Sequence, residues 1–182
     1  VILPQFDMAW DVIDGLAQVK VSGKFGFINK SGTLVIPAQY DEAAPFAGGL
    51  AKVKMNGKYG YIDKTGTFVI PAQFDHANSY SEGLARVRID GKVGFIDKVG
   101  KINIPAQFND GGNFAEGLAV VGSPGKYRYI DKTGAYAIST QYLLASSFAE
   151  GLASVCVHFT QNQFAFIDKT GKIVLPAQAG YY

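Results

Sequence analysis

The 182-residue chain is poor in the residues that build reactive or cross-linked sites: it has one cysteine, two methionines, one tryptophan and two histidines. Cys156 cannot close an internal disulfide, so stability has to come from packing. That suits a reducing compartment, but a disulfide-free protein of the cell envelope would look the same, and both locations stay open. Net charge is also scarce: 17 basic against 15 acidic side chains leave +2, which gives no general reason to expect nucleic acid as a partner. No run approaches the roughly 20 apolar residues of a membrane helix, so no membrane span is expected.

Catalytic constellations are equally thin. Of His76 and His158, only His158 has a nearby thiol, Cys156 two residues away, and a metal site or Cys-His pair needs further ligands or an orienting residue. The pairs Gly48-Gly49 and Gly111-Gly112 precede strand-like segments, whereas phosphate loops lead into helices. A site needs a nucleophile, a base and an orienter together. The expectation is a protein that is not an enzyme and holds no cofactor or metal.

What the chain has in abundance is repetition. Gln5, Gln39, Gln73, Gln107 and Gln141 stand 34 residues apart, as do Gly15, Gly49, Gly83, Gly117 and Gly151; Gln178 follows after 37, because "VHFTQNQ" adds three residues to one turn. A period of this length marks a repeat architecture. With 48% hydrophobic and 18% charged residues, the units are expected to pack and not to form a disordered tail. The chain reads as one repeat domain, 1–182: a partial unit at 1–14, full units at 15–48, 49–82, 83–116 and 117–150, and a last unit at 151–182 with the insertion. It starts in mid-repeat without an initiator methionine, which reads as a processed or trimmed piece.

Each unit carries two hairpin signals. Asn56-Gly57 and Asp90-Gly91 suit type I′ turns, in which both central residues have positive φ, and Ser22-Gly23 and Pro124-Gly125 hold the same slot. "DKTG" at 63–66 suits a three-residue loop with Gly66 in the left-handed region. Three strands per unit follow, for instance about 50–55, 58–63 and 67–70, the third ending at Pro37, Pro71, Pro105 or Pro176 because proline donates no hydrogen bond. The next dozen residues, such as "AQFDHANSYSEG", lack strand alternation and read as a crossover loop containing a helical turn capped by Asp75. In "KYGYID", Tyr59 and Tyr61 point to one face and Gly60 and Ile62 to the other; both faces are apolar or small, so neighbouring units should cover both. The expected fold is all-β: three-stranded antiparallel meanders plus crossover loops, stacked as an open, twisted, solenoid-like array. A small closed, propeller-like ring is the alternative.

The succession "KYGYIDKTGTFVIPAQFD…F…EGLA.V" resembles the bacterial WG-repeat family, also called KWG repeats, over nearly the whole chain. The eponymous tryptophan is replaced by Phe25, Tyr59, Val93, Tyr127 and Phe164, and its glycine persists as Gly26, Gly60 and Gly94 before giving way to Arg128 and Ala165. The resemblance implies a non-catalytic binding or scaffold module and supplies no catalytic residues.

Residues that recur every 34 positions should build the unit. Gln39, Gln73, Gln107 and Gln141 are expected to satisfy backbone groups at the exit of the third strand, and Gly49, Gly83, Gly117 and Gly151 to shape turns. Function is expected where units differ. Lys20, Lys52, Lys54, Arg86 and Arg88 would align into a basic stripe that vanishes at Val120, Gly122, Ser154 and Cys156; it suits an acidic protein surface or anionic glycan, or serves only to blunt sheet edges. Leu143 and Leu144 replace polar pairs such as Asp41-Glu42, and Trp10 sits in the first crossover; each is a partner contact or an end cap. The leading expectation is a scaffold that binds another protein, as an adaptor or a toxin-neutralising protein. A glycan or peptidoglycan-binding module of the cell wall, or a spacer within a longer protein, is the alternative.

Overall fold

The computed structural model describes residues 6–158 and 163–176. Its regular elements are all strands, arranged as five antiparallel four-stranded sheets. The first holds β1 (Met8–Ile13), β2 (Leu16–Val21), β3 (Lys24–Asn29) and β4 (Leu34–Tyr40). The second holds β5 (Glu42–Ala43), β6 (Ala51–Met55), β7 (Lys58–Ile62) and β8 (Phe68–Phe74). The third holds β9 (His76–Ala77), β10 (Ala85–Ile89), β11 (Lys92–Ile96) and β12 (Ile102–Phe108). The fourth holds β13 (Asp110–Gly111), β14 (Ala119–Gly122), β15 (Tyr127–Ile130) and β16 (Tyr136–Tyr142). The fifth holds β17 (Leu144–Ala145), β18 (Ala153–His158), β19 (Gln163–Ile167) and β20 (Ile173–Leu175).

Local chemistry accounts for the hairpins. Both central residues of three of the expected turns have positive φ: Ser22 and Gly23 (49° and 81°), Asn56 and Gly57 (53° and 79°), Asp90 and Gly91 (48° and 74°). Proline cannot enter that region, so the fourth hairpin turns differently: Gly125 alone has φ of 83° and the Lys126 amide donates to the Ser123 carbonyl, the make-up of a type II turn. In the "DKTG" loop the Gly66 amide donates to the Asp63 carbonyl, while the Asp63 carboxylate accepts from the amides of Thr65 and Thr67 and from the Thr65 hydroxyl.

Three expectations about the crossover are corrected. It contains no helical turn; its first residues form a fourth, two-residue strand that pairs with the next long strand, as in Glu42↔Lys54 and His76↔Arg88. Asp75 caps no helix and instead binds the Lys58 ammonium (2.5 Å). Nor does the third long strand regularly stop at proline: β20 does end at Leu175, just before Pro176, but β4, β8 and β12 run through Pro37, Pro71 and Pro105. These are edge strands, where a missing amide hydrogen leaves no ladder partner unpaired. The pairing is bulged there as well: Tyr59 opposes Phe74 and Tyr61 opposes Ile70, so two residues on β7 span four on β8. Residues 1–5 of the expected partial unit at 1–14, and Gln178 of the last unit, lie outside the described residues.

Packing joins consecutive sheets in a row. Tyr59, Tyr61, Ile70 and Phe74 of the second sheet pack on Ala77, Ala85, Val87 and Ile96 of the third. Ile62, on the opposite face of β7, belongs to the core shared with Phe27, Ile36 and Tyr40 of the first. Equivalent cores join the third sheet to the fourth and the fourth to the fifth. Both faces of the inner sheets are therefore covered, as the two-sided apolar strands require. Four strands is also the size of a propeller blade, but the outer face of the fifth sheet is uncovered, with Phe166 42% and Leu175 52% exposed, so the array is open.

Candidate functional site

The expected basic stripe lies along the clefts between sheets. Alternation puts residues 52 and 54 on the same face of the second sheet as Tyr59, and the ammonium groups of Lys52 and Lys54 sit 5.2 and 5.1 Å from that ring. Lys54 also pairs with Glu42 (2.9 Å), whose other oxygen accepts from the Tyr59 hydroxyl at 2.7 Å. The Lys54 ammonium and then the Tyr59 hydroxyl hold the Glu42 carboxyl below the usual carboxylate range, while burial pulls the Lys52 ammonium down. Lys20 stands over Phe25 (5.2 Å). Arg86 is half-buried and crosses to the fourth sheet, where its guanidinium donates to the Gly111 carbonyl, and it also reaches Asn78 at 3.2 Å. Arg88 donates to the carbonyls of Gly91 (2.7 Å) and Asn109 (3.2 Å). His76 lies 5.4 Å from the Tyr59 ring; burial, then Lys52, Arg86 and Arg88, lower its pKa.

The same column loses its long side chains in the next units. Val120 and Ser154 stand 34 and 68 residues after Arg86. Between the fourth and fifth sheets, where Arg86 would have its counterpart, there is a cavity of about 390 Å³. It is lined by Val120, Ser154, Tyr127, Leu144 and Phe164, with Asp110 at the fourth-sheet side. Leu144 and Phe164 are 44% and 40% exposed. The Tyr127 hydroxyl donates to Asp110 (2.9 Å), and burial together with that carboxylate raises its pKa. The cavity wall is mostly apolar, with one acid and two serines at its edges.

Of the other expected residues, Leu143 makes backbone bonds only: its amide donates to the Cys156 carbonyl and its carbonyl accepts from Gly125. Trp10 is exposed and lies on Phe25, with ring centroids 5.6 Å apart, away from the cavity-lining residues. Gln39, Gln73, Gln107 and Gln141 are exposed within the edge strands and not buried at a turn; Gln39 donates to the Tyr40 hydroxyl (3.2 Å). Gly49, Gly83, Gly117 and Gly151 have φ between 82° and 89° and close the tight turn before the first long strand of the next sheet, β6, β10, β14 or β18. The structure thus brings Leu144 together with Tyr127, Val120, Ser154 and Phe164. The disappearance of charge at Val120 and Ser154 was the sequence signal for that groove, and its effect depends on where the facing sheet stands. Repeated rings such as Tyr61, Phe95 and Tyr129 are at most 1% exposed and offer no face to a sugar.

Comparisons place this geometry among known folds. A structure described as the eukaryotic initiation factor has a TM-score of 0.63 at 14% identity, over 96% of this chain and 56% of that one. Hsv2 of Kluyveromyces lactis has a TM-score of 0.53 at 11% identity, over 88% and 59%. Kluyvelomyces marxianus Hsv2 also has 0.53, at 9% identity, over 88% and 60%. At these identities the likeness concerns the fold alone, and the chain spans less than two thirds of the length of these structures. A comparison with curated proteins finds no match. The family model for the WG containing repeat matches residues 1–25, 25–59, 59–92, 94–127 and 127–158. Five tandem matches along one chain of repeated four-stranded sheets place the protein in the WG-repeat family.

Proposed function

We propose that the chain is a non-catalytic scaffold that binds another protein, and that the groove between the fourth and fifth sheets takes an apolar side chain of that partner. The observation that carries this reading is a cavity opened by unit-specific change: short Val120 and Ser154 stand in the column that holds Lys52 and Arg86, beside exposed Leu144 and Phe164. Grooves with an apolar floor and a few polar groups at the rim are common seats for such anchors. The cations of the other units engage neighbouring rings, carbonyls and carboxylates, which favours the groove over the stripe.

Val120→Arg tests it. The introduced guanidinium would lie opposite the Ala145 carbonyl, the counterpart of Gly111, so the fold tolerates it while the cavity fills. Immobilised parent, Val120→Arg and Lys54→Glu/Arg88→Glu chains are exposed to lysate and envelope fractions, and each retained protein is purified and titrated. The expected result is one protein that binds the parent and the charge-reversed chain, and binds Val120→Arg about tenfold or more weakly. Equal binding by Val120→Arg overturns the groove. Loss on charge reversal alone returns the site to the stripe, and retention of cell-wall material alone returns the protein to the glycan reading.

A further inference from the structure

One side-chain cluster recurs in the array with its charges changed. In the second sheet it is complete: the Glu42 carboxylate accepts from the Lys54 ammonium (2.9 Å) and the Tyr59 hydroxyl (2.7 Å), and Lys52 and Lys54 lie 5.2 and 5.1 Å from the Tyr59 ring. Carboxylate and ring each stabilise a cation, the one by charge and hydrogen bonding, the other through its negative face. The fourth sheet, 68 residues on, repeats the acceptor half. Asp110 stands for Glu42 and Tyr127 for Tyr59, and the Tyr127 hydroxyl donates to Asp110 at 2.9 Å. The cations are gone, since Val120 and Gly122 hold the places of Lys52 and Lys54. No other sheet keeps this half: the first has Met8 and Phe25 in these places, the third His76 and Val93, the fifth Leu144 and Phe164.

The chain does not supply the missing cation. Gly122 has φ of 148°, and a Cβ there would collide with the Lys126 carbonyl oxygen, so a lysine has no place on this backbone. Arg86 of the third sheet feels the Asp110 charge, but its guanidinium donates to the Gly111 carbonyl and to Asn78. Arg128 lies over the Tyr136 ring, 4.9 Å from its centroid. Asp110 thus forms no ion pair among the described residues. Asp110 and Tyr127 are half-buried and line the cavity beside Val120, Leu144 and Phe164. A carboxylate set in a mostly apolar wall carries a desolvation cost that a facing cation offsets.

Given the groove reading above, on which this rests, we infer that the partner supplies the cation: the segment that seats an apolar side chain in the groove presents a lysine or arginine beside it, which pairs with Asp110 over the Tyr127 ring. The apolar side chain meets Val120, Leu144 and Phe164. The cation restores at the fourth sheet the arrangement that Lys54, Glu42 and Tyr59 form within the second. The occupant is therefore a segment that is both basic and apolar. A segment with an acidic residue beside its apolar anchor meets the Asp110 charge and is rejected.

A displayed library of short random peptides, selected on the immobilised chain, tests it. Enriched peptides are synthesised and titrated by fluorescence anisotropy against the parent and its Val120→Arg, Asp110→Asn and Asp110→Glu variants, each checked for fold by circular dichroism. Peptides that bind Val120→Arg about tenfold or more weakly than the parent occupy the groove. These should carry a lysine or arginine within about two positions of an apolar residue, the spacing that keeps both on one face of an extended segment. Asp110→Asn should weaken them about tenfold, and Asp110→Glu, with the carboxylate of position 42, should not. Exchanging the peptide's basic residue for norleucine should cost the parent as much and Asp110→Asn nothing further. That exchange leaves the protein unaltered, so it holds even where a variant misfolds. Groove peptides whose anchor is flanked by acidic or uncharged residues overturn the cation and leave the groove standing. So do groove peptides indifferent to Asp110→Asn and to the norleucine exchange. A selection in which no peptide discriminates against Val120→Arg overturns both.

Discussion

Two kinds of glycine carry the residue scale. Gly83 has φ of 89° with nothing near its missing side chain, so only its backbone conformation constrains it. Gly60 has ordinary φ, but a Cβ there would stand 2.6 Å from the Ile70 carbonyl oxygen, because the bulged edge strand crosses it closely. Gly83→Ala should therefore cost about 1–2 kcal/mol and Gly60→Ala about 3 kcal/mol or more, compared by urea unfolding. Arg128 occupies this column in the fourth unit, beside a strand that has Ser139-Thr140 where the others have Pro-Ala. The aspartate of the "DKTG" loop gives a pH prediction. The Thr65 hydroxyl, then backbone amides, hold the Asp63 carboxyl below its ordinary range. A carboxyl depressed in the folded state adds stability above its unfolded pKa of about 3.9 and loses it as pH falls through the folded value. Asn29 makes the same turn contacts without charge in the first unit. Asp63→Asn should keep the fold at pH 7, melt below the parent there, and approach it as pH falls toward 3; parallel melting curves across that range would refute the linkage.

At the scale of elements, the proline strands protect the sheet edges. β4, β8 and β12 lie at the outer end of each strand order, where a regular extended strand would offer unpaired amides to another molecule. Pro37, Pro71 and Pro105 remove one donor from each, and the adjoining bulge twists the edge away. Replacing all three with valine should leave the melting temperature within a few degrees and raise concentration-dependent aggregation, read by light scattering during heating. Unchanged scattering would show that the bulge alone suffices. The strands themselves were legible because alternation and turn pairs are local. The two-residue strand was not, since "DHA" shows no alternation and is drawn into the sheet only by β10 beside it.

For the whole molecule, equivalent junctions predict interchangeable units. Excising residues 76–109 brings Tyr61 and Ile70 of the second sheet against Ala119, Val121 and Ile130 of the fourth, which match Ala85, Val87 and Ile96 in size and polarity. The shortened chain should fold with a strand-rich spectrum and unfold at lower urea with a smaller m-value, as stability in arrays sums over units and interfaces. An unfolded product would mean that the junctions are not equivalent.

The 34-residue period, the turn glycines and the two-faced strands were determined by sequence alone, because φ > 0, hairpin geometry and side-chain alternation depend on residues a few positions apart. So was the disappearance of cations at Val120 and Ser154. That this disappearance opens a groove, and that Lys54 faces Glu42 and Tyr59, were decided only by tertiary structure. The physical reason is that the facing group lies on another strand or another sheet, 12 residues from Lys54 or a whole unit away in the case of the groove. Its distance follows from how sheets stack and not from the order of residues within one strand.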